Sequence, residues 1–223
     1  MMKILDDVDF SFAYKMNHIG ETPFITELHV EIKGSATDRK TDEYIFDKAG
    51  YADLIILNIR NATLAGYNMW EAVDGTSINY IEYGDLLFNR NGEFNEKILK
   101  AIEKFFHYRP FYSMEDFMTV AIGERLVIYP EWRGHDATKQ LNRELTLTFN
   151  FDMLIVKPFP LQHEFKAVKE DSIGYSSDEK DFDKHSRKLK NYYVKHCGMI
   201  TLPGIKDYLF MFPQIDFDKI AGE

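Results

Sequence analysis

Cysteine is almost absent: Cys197 is the single thiol in 223 residues. One thiol excludes an internal disulfide framework and a four-cysteine zinc site, and it makes a reducing compartment the expected setting. Positive charge is also in deficit. Lys and Arg number 27 against 36 Asp and Glu, a formal net charge of −9. Binding to a nucleic-acid backbone or an anionic membrane is driven by a basic face, so neither partner is expected. Long apolar runs are missing as well. The best, Leu54-Ile55-Ile56-Leu57, is far short of the roughly 20 residues a membrane helix needs. Asp6 and Asp7 stand where a signal peptide would carry its apolar run. Together these features lead us to expect a cytoplasmic protein with no membrane association.

Familiar catalytic signatures are lacking too. There is no Gly-x-Ser-x-Gly elbow, no Walker A loop and no dinucleotide fingerprint. None of the seven histidines forms a helical two-His pair with a nearby Glu, so no metal is expected. Cys197 follows His196 directly, but neighbours on a helix point about 100° apart and cannot act as a pair. Cys197 therefore reads as a small apolar residue at a helix end.

What remains is a globular composition, 45% hydrophobic and 28% charged, in a chain long enough to bury about 70% of its unfolded surface. We expect one domain over residues 1–223, with a charge-rich insertion around 164–187. Alternation over residues 26–33 predicts a strand, followed by a turn at 34–42. The apolar run within 51–61 predicts a buried strand. A helix is expected over 65–74, and a second with Ser77 as its cap. Phe94, Ile98, Ala101, Ile102, Phe105 and Phe106 form one stripe of a helix over 93–108. A strand follows over 116–129, with a bend at Gly123 and a stop at Pro130. Then come a helix over 134–149, a strand over 152–157, a helix over 186–197 ending at Gly198, and two closing strands at 199–203 and 207–213. Both periodicities are mixed along the chain, which indicates an α/β or α+β sheet with helices packed on it.

The segment Leu126-Val127-Ile128-Tyr129-Pro130-Glu131-Trp132-Arg133-Gly134-His135-Asp136-Ala137-Thr138 carries the most chemistry. It reads as a strand, a proline stop, a tight Arg-Gly turn and a helix start. A helix N-terminus offers unpaired N–H groups and about half a positive charge. A loop wrapped around that end can hold a diphosphate without basic side chains, which reconciles an anionic ligand with an acidic protein.

This segment resembles the acetyl-CoA-binding motif of the GNAT superfamily of N-acetyltransferases, in which a strand ending in Val-x-Pro leads through an aromatic to Arg-Gly-x-Gly-x-Gly/Ala. Ile128-x-Pro130, Trp132 and Arg133-Gly134 match; Asp136 and Thr138 depart from glycine and from glycine or alanine. The carboxylate of Asp136 would repel a diphosphate unless it turns away or caps the helix. Downstream, Tyr192-Tyr193-Val194-Lys195-His196-Cys197-Gly198-Met199 is similar to the family's tyrosine-to-glycine spacing, with either tyrosine eligible. The resemblance implies a largely antiparallel central sheet with helices on both faces and acetyl-CoA as acyl donor. It implies direct transfer to the amine of a small molecule or peptide. Ile128, Arg133, Gly134, His135, Asp136, Ala137 and Thr138 would bind the donor, and Tyr193 would protonate the leaving thiolate. Glu124, on the motif strand, is the candidate base, and Asp74 and Glu82 are candidate walls of an acceptor pocket. The alternative is a non-catalytic protein of the same fold with a degenerate CoA site. Homo-oligomerisation stays open.

Overall fold

Apolar residues at every second position build a three-stranded antiparallel meander from the N-terminal part of the chain. The computed structural model describes residues 5–19, 22–75, 81–106, 119–160 and 179–213. Strands β1 (Leu5–Ile19), β2 (Thr22–Asp38) and β3 (Glu43–Leu57) pair in sequence order. On β2, Leu28, Val30, Ile32 and Ala36 are buried on one face, while Ile25 is buried on the other. The turn at 39–42 is closed by the Asp42 N–H donating to the Asp38 carbonyl at 2.8 Å and the Lys40 N–H donating to the Asp38 carboxylate at 2.9 Å.

Among the described residues four helices follow: α1 (Ile59–Leu64), α2 (Met69–Asp74), α3 (Ile81–Leu87) and α4 (Glu96–Phe106). Asn58 and Asn68 cap the first two, their side-chain oxygens accepting N–H groups of the opening turns. The chain then enters β4 (Val120–Ile128), antiparallel to β3, and a 3₁₀ turn, Pro130–Trp132. Helix α5 (Ala137–Phe149) leads to β5 (Met153–Val156), which lies parallel to β4. Helix α6 (Glu179–His196) and β6 (Leu209–Met211), antiparallel to β5, complete the six-stranded sheet in the order β1-β2-β3-β4-β5-β6. Helices cover both faces. Val73, Leu87, Ile98 and Ile102 pack with Ile55, Val120 and Ile122 on one side, and Leu141, Leu145, Tyr193 and Cys197 pack with Leu54, Ala121 and Leu154 on the other. Among the described residues no helix is long and apolar enough to cross a membrane.

Several boundaries differ from the sequence expectation. β1 is not anticipated, and β2 and β3 are far longer than the expected runs because the meander extends past the helices as a polar-faced ribbon. Residues 34–38 are strand, so the turn is confined to 39–42. Of the helix expected over 65–74 only Met69–Asp74 forms, as α2; α1 is not anticipated and begins inside the run expected as strand at 51–61, with a break between the two helices where Gly66 adopts φ +77°. Only Ile200 of the strand expected at 199–203 pairs, as a single bridge to Phe210. Ser77, residues 116–118 and residues 164–178 of the expected insertion lie outside the described residues, and residues 179–187 form the first half of α6.

Candidate functional site

Parallel pairing of β4 with β5 runs only from Val120–Met153 to Gly123–Val156. After Val156 the chain reads Lys157-Pro158-Phe159-Pro160, and a proline has no N–H to offer a ladder. Among the described residues β4 continues without a neighbouring strand on that side from Glu124 to Ile128, held by β3 alone. Tyr129 donates its N–H to the Ala49 carbonyl of β3 at 2.9 Å, so by strand alternation Ile128 and Leu126 direct their backbone groups to the side β5 has left. The Ile128 carbonyl accepts the Arg133 Nε–H at 2.8 Å, which folds the turn back onto the strand.

The vacated edge opens into a cavity of about 700 Å³, within the range of cofactor sites. Its walls include residues 123–128 of β4, the Arg133-Gly134 turn, the first two turns of α5, Lys157 to Pro160, and Tyr192 and Tyr193 of α6. Trp132 anchors the turn. It is 2% exposed, meets the Phe10 ring edge-on at 6.1 Å, and lies over Gly34, where any Cβ would overlap the indole. Gly134 has φ +88°, and a Cβ there would meet no protein atom within 4 Å.

Asp136 precedes α5 in the left-handed region at φ 59°, and its side chain makes no cap hydrogen bond. Left-handed geometry costs an L-residue roughly 1–2 kcal/mol relative to glycine. That explains why glycine would suit this position. Asp136→Gly is therefore expected to keep or raise stability, by up to about 1 kcal/mol once the extra chain entropy of glycine is deducted. It should also remove a carboxylate from the mouth of the cavity. A lower melting midpoint for this variant would mean that the carboxylate has a structural partner.

Of the predicted donor-site residues, Ile128, Arg133, Gly134, Asp136, Ala137 and Thr138 line the cavity. His135, in the same turn, is not among the lining residues. Tyr193 lines the wall at 8% exposure; burial, then the nearby Cys197 and Tyr192, raise its pKa, and no hydrogen bond reaches its hydroxyl among the described residues. Tyr192 is more exposed. Its pKa is raised by burial, opposed by the Thr138 hydroxyl. Cys197 is buried, which pushes its thiol up to about 11 and makes it a packing residue. Gly198, at φ +67°, ends α6, with the Met199 N–H reaching back to the Tyr193 carbonyl at 3.3 Å.

A second, more polar cavity lies across the sheet, lined in part by Glu27, His29, Asp53, Glu82 and Asp85. Glu124, Arg125, Lys157 and Phe159 belong to the walls of both cavities. Glu124 is the extra residue of a bulge in β4, between Gly123 and Arg125, where the register slips opposite Asp53 and Leu54 of β3. Bulges re-aim side chains, and this one places Glu124 at the junction of the two spaces. Glu82 accepts from Lys157 Nζ at 2.6 Å. Asp74, the other predicted acceptor-pocket residue, ends α2 and lines neither cavity.

Two lining features escape a reading of the sequence. Asn142, one helical turn after Thr138, lines the first cavity with its side-chain Nδ2 buried and unpartnered among the described residues. Spacing of four on a helix is the available signal. His29 and Asp53 face each other across β2 and β3 with Nδ1 and Oδ1 2.6 Å apart. Among the described residues, no group of three or more His, Cys, Asp or Glu is arranged to hold a metal ion. Searches against family models, curated proteins and solved structures return no match for the chain.

Proposed function

We propose that the chain is an acyl-CoA-dependent N-acyltransferase of GNAT type, moving an acetyl group from acetyl-CoA to an amine. The observation that carries this reading is the open edge of β4. Over residues 124–128 it has no β5 neighbour, and the cavity beside it runs to the start of α5. A pantetheine arm is an extended chain with amides, and it would pair with Leu126 as a short substitute strand. Its diphosphate would then meet the backbone amides of residues 133–138 and the positive end of α5. Asn142 offers a buried donor to the same ligand.

Bound in this way, the thioester lies near the Gly123–Glu124 bulge, where backbone N–H groups leave the ladder and can polarise its carbonyl. The amine enters from the second cavity. Its nitrogen forms the C–N bond, the C–S bond breaks, the thiolate takes a proton from a tyrosine, and the proton the nitrogen sheds on becoming an amide restores the tyrosine. Burial keeps the Tyr193 phenol protonated, and a free thiol ionises near 8.5, so the transfer depends on fixed geometry. Tyr193→Phe is expected to lower kcat by about 10²-fold with acetyl-CoA affinity unchanged. If Tyr192→Phe produces that loss instead, the acid is the neighbouring residue.

The primary test is melting with and without acetyl-CoA. A ligand at about 100 times its Kd adds roughly 2.7 kcal/mol of stability, and the absence of any shift at millimolar acetyl-CoA refutes the donor site. Thiol release across a panel of amines then separates an enzyme from a binder. The binder reading is favoured by one observation, the uncapped Asp136 carboxylate at the diphosphate position.

A further inference from the structure

We propose that His29, held by Asp53, is the base that removes the proton from the acceptor amine. This rests on the acyltransfer reading and gives the base's role to His29 in place of Glu124. The two residues are direct cross-strand partners of β2 and β3, and both line the second cavity. A carboxylate only accepts, so the 2.6 Å contact of Asp53 Oδ1 with His29 Nδ1 places the ring proton on Nδ1. In the neutral ring Nε2 is then the lone-pair nitrogen, and it has no hydrogen-bond partner among the described residues. Tyr51, two residues before Asp53 on the same strand, stacks on the imidazole with centroids 5.8 Å apart. The ring is therefore fixed on one edge and one face, while its side chain keeps 44% of its surface exposed to the cavity.

The same row continues across the sheet, because Asp53 is the register partner of Arg125, the residue after Glu124. β2 and β4 stand two strand spacings apart, about 10 Å, and the imidazole leans over β3 into that interval. The proton therefore travels from the ammonium to Nε2 through bridging water, and the neutral amine attacks the thioester at the β4 bulge. The balance is closed: ammonium and thioester give amide, thiol and one proton, which His29 returns to solvent.

The charges around the imidazole come from every neighbouring strand. Lys15 of β1 is its other register partner. Glu27 and Glu31 flank it on β2, two residues away on either side. Arg125 and Glu124 approach from β4, and Glu82 and Asp85 from α3. A purely structural cross-strand pair would contribute to stability and leave kinetics alone.

The test is the pH dependence of kcat/KM for thiol release from acetyl-CoA, with spermidine, tyramine and a lysine peptide as acceptor probes. Taking the ratio of wild type to His29→Gln cancels the ionisation of the amine itself. That ratio is expected to be about 10²-fold above the imidazole ionisation and to fall tenfold per pH unit below it. Asp53→Asn should lower kcat/KM as well, because the carboxylate that holds the ring proton on Nδ1 is replaced by an amide. Both variants should keep the melting shift given by acetyl-CoA. A flat ratio within twofold of one, with wild type active, overturns the assignment of His29 and leaves the transferase reading standing. No thiol release by wild type with any probe sinks both.

Discussion

Gly134→Val is expected to fold and to lose acetyl-CoA binding by at least about 100-fold, or roughly 2.7 kcal/mol. Two features of the turn combine here. The backbone at φ +88° is a conformation that β-branched residues rarely adopt, yet no protein atom lies within 4 Å of where the new Cβ would stand. The side chain would therefore project into open space at the cavity wall, where the acyltransferase reading puts the diphosphate. Its cost to the empty protein is backbone strain, roughly 1–2 kcal/mol. Gly66 provides the matched control, because it too has positive φ, at +77°, and nothing within 4 Å. It follows α1 and is absent from the lining of both cavities. Gly66→Val should show a comparable fall in melting midpoint and an intact acetyl-CoA shift. Equal shifts in both variants would remove the diphosphate from the Arg133-Gly134 turn.

Trp132→Ala is expected to be the most damaging single truncation near the site, costing about 3–5 kcal/mol. For a chain of this size that is roughly 6–20 °C of melting midpoint. The indole is almost wholly buried, and Gly34 on β2 leaves the room that admits it. Phe10 on β1 closes the other side. The pocket is built by separate strands and a turn, so it collapses poorly when emptied. The 3₁₀ turn should also lose its fixed position, weakening acetyl-CoA binding along with stability. A loss below about 1 kcal/mol, far under the usual cost of emptying such a pocket, would mean that the turn is held by Arg133 and Ile128 alone. Trp132→Phe should fall between the two.

Local pattern carries the elements whose burial is one-sided and continuous. The stripe on α4 and the apolar runs of β3 and β5 are readable because each packs on the sheet along its whole length. β1 is equally periodic, with Phe10, Phe12, Tyr14 and Met16 at alternate positions, but its apolar face is only partly covered, and Met16 keeps 54% of its surface. A pattern that the fold half uses is easily passed over. The Arg133-Gly134 turn and the tyrosines of α6 are legible as residues, and the structure brings them to one cavity. The open edge of β4 is not, because it depends on where β5 stops relative to a strand on the far side of α5.

His29 opposite Asp53 is hidden for a sharper reason. Counted back from the turn, the pairing of Lys33 with Lys48 would set His29 against Ala52. The slip between Ile32 and Lys33 moves the partner by one residue to Asp53. A single irregularity in a ribbon decides which side chains share a face, and nothing in the local sequence announces it.

The prolines after Val156 have a consequence for kinetics. A strand that could zip onto residues 124–128 would have to be peeled away before anything else could lie there, and each peeled bond would slow capture. Pro158 and Pro160 lack the N–H groups such self-closure would use, so on the acyltransferase reading an incoming pantetheine would find residues 124–128 unclaimed by β5 and would have nothing of that strand to displace.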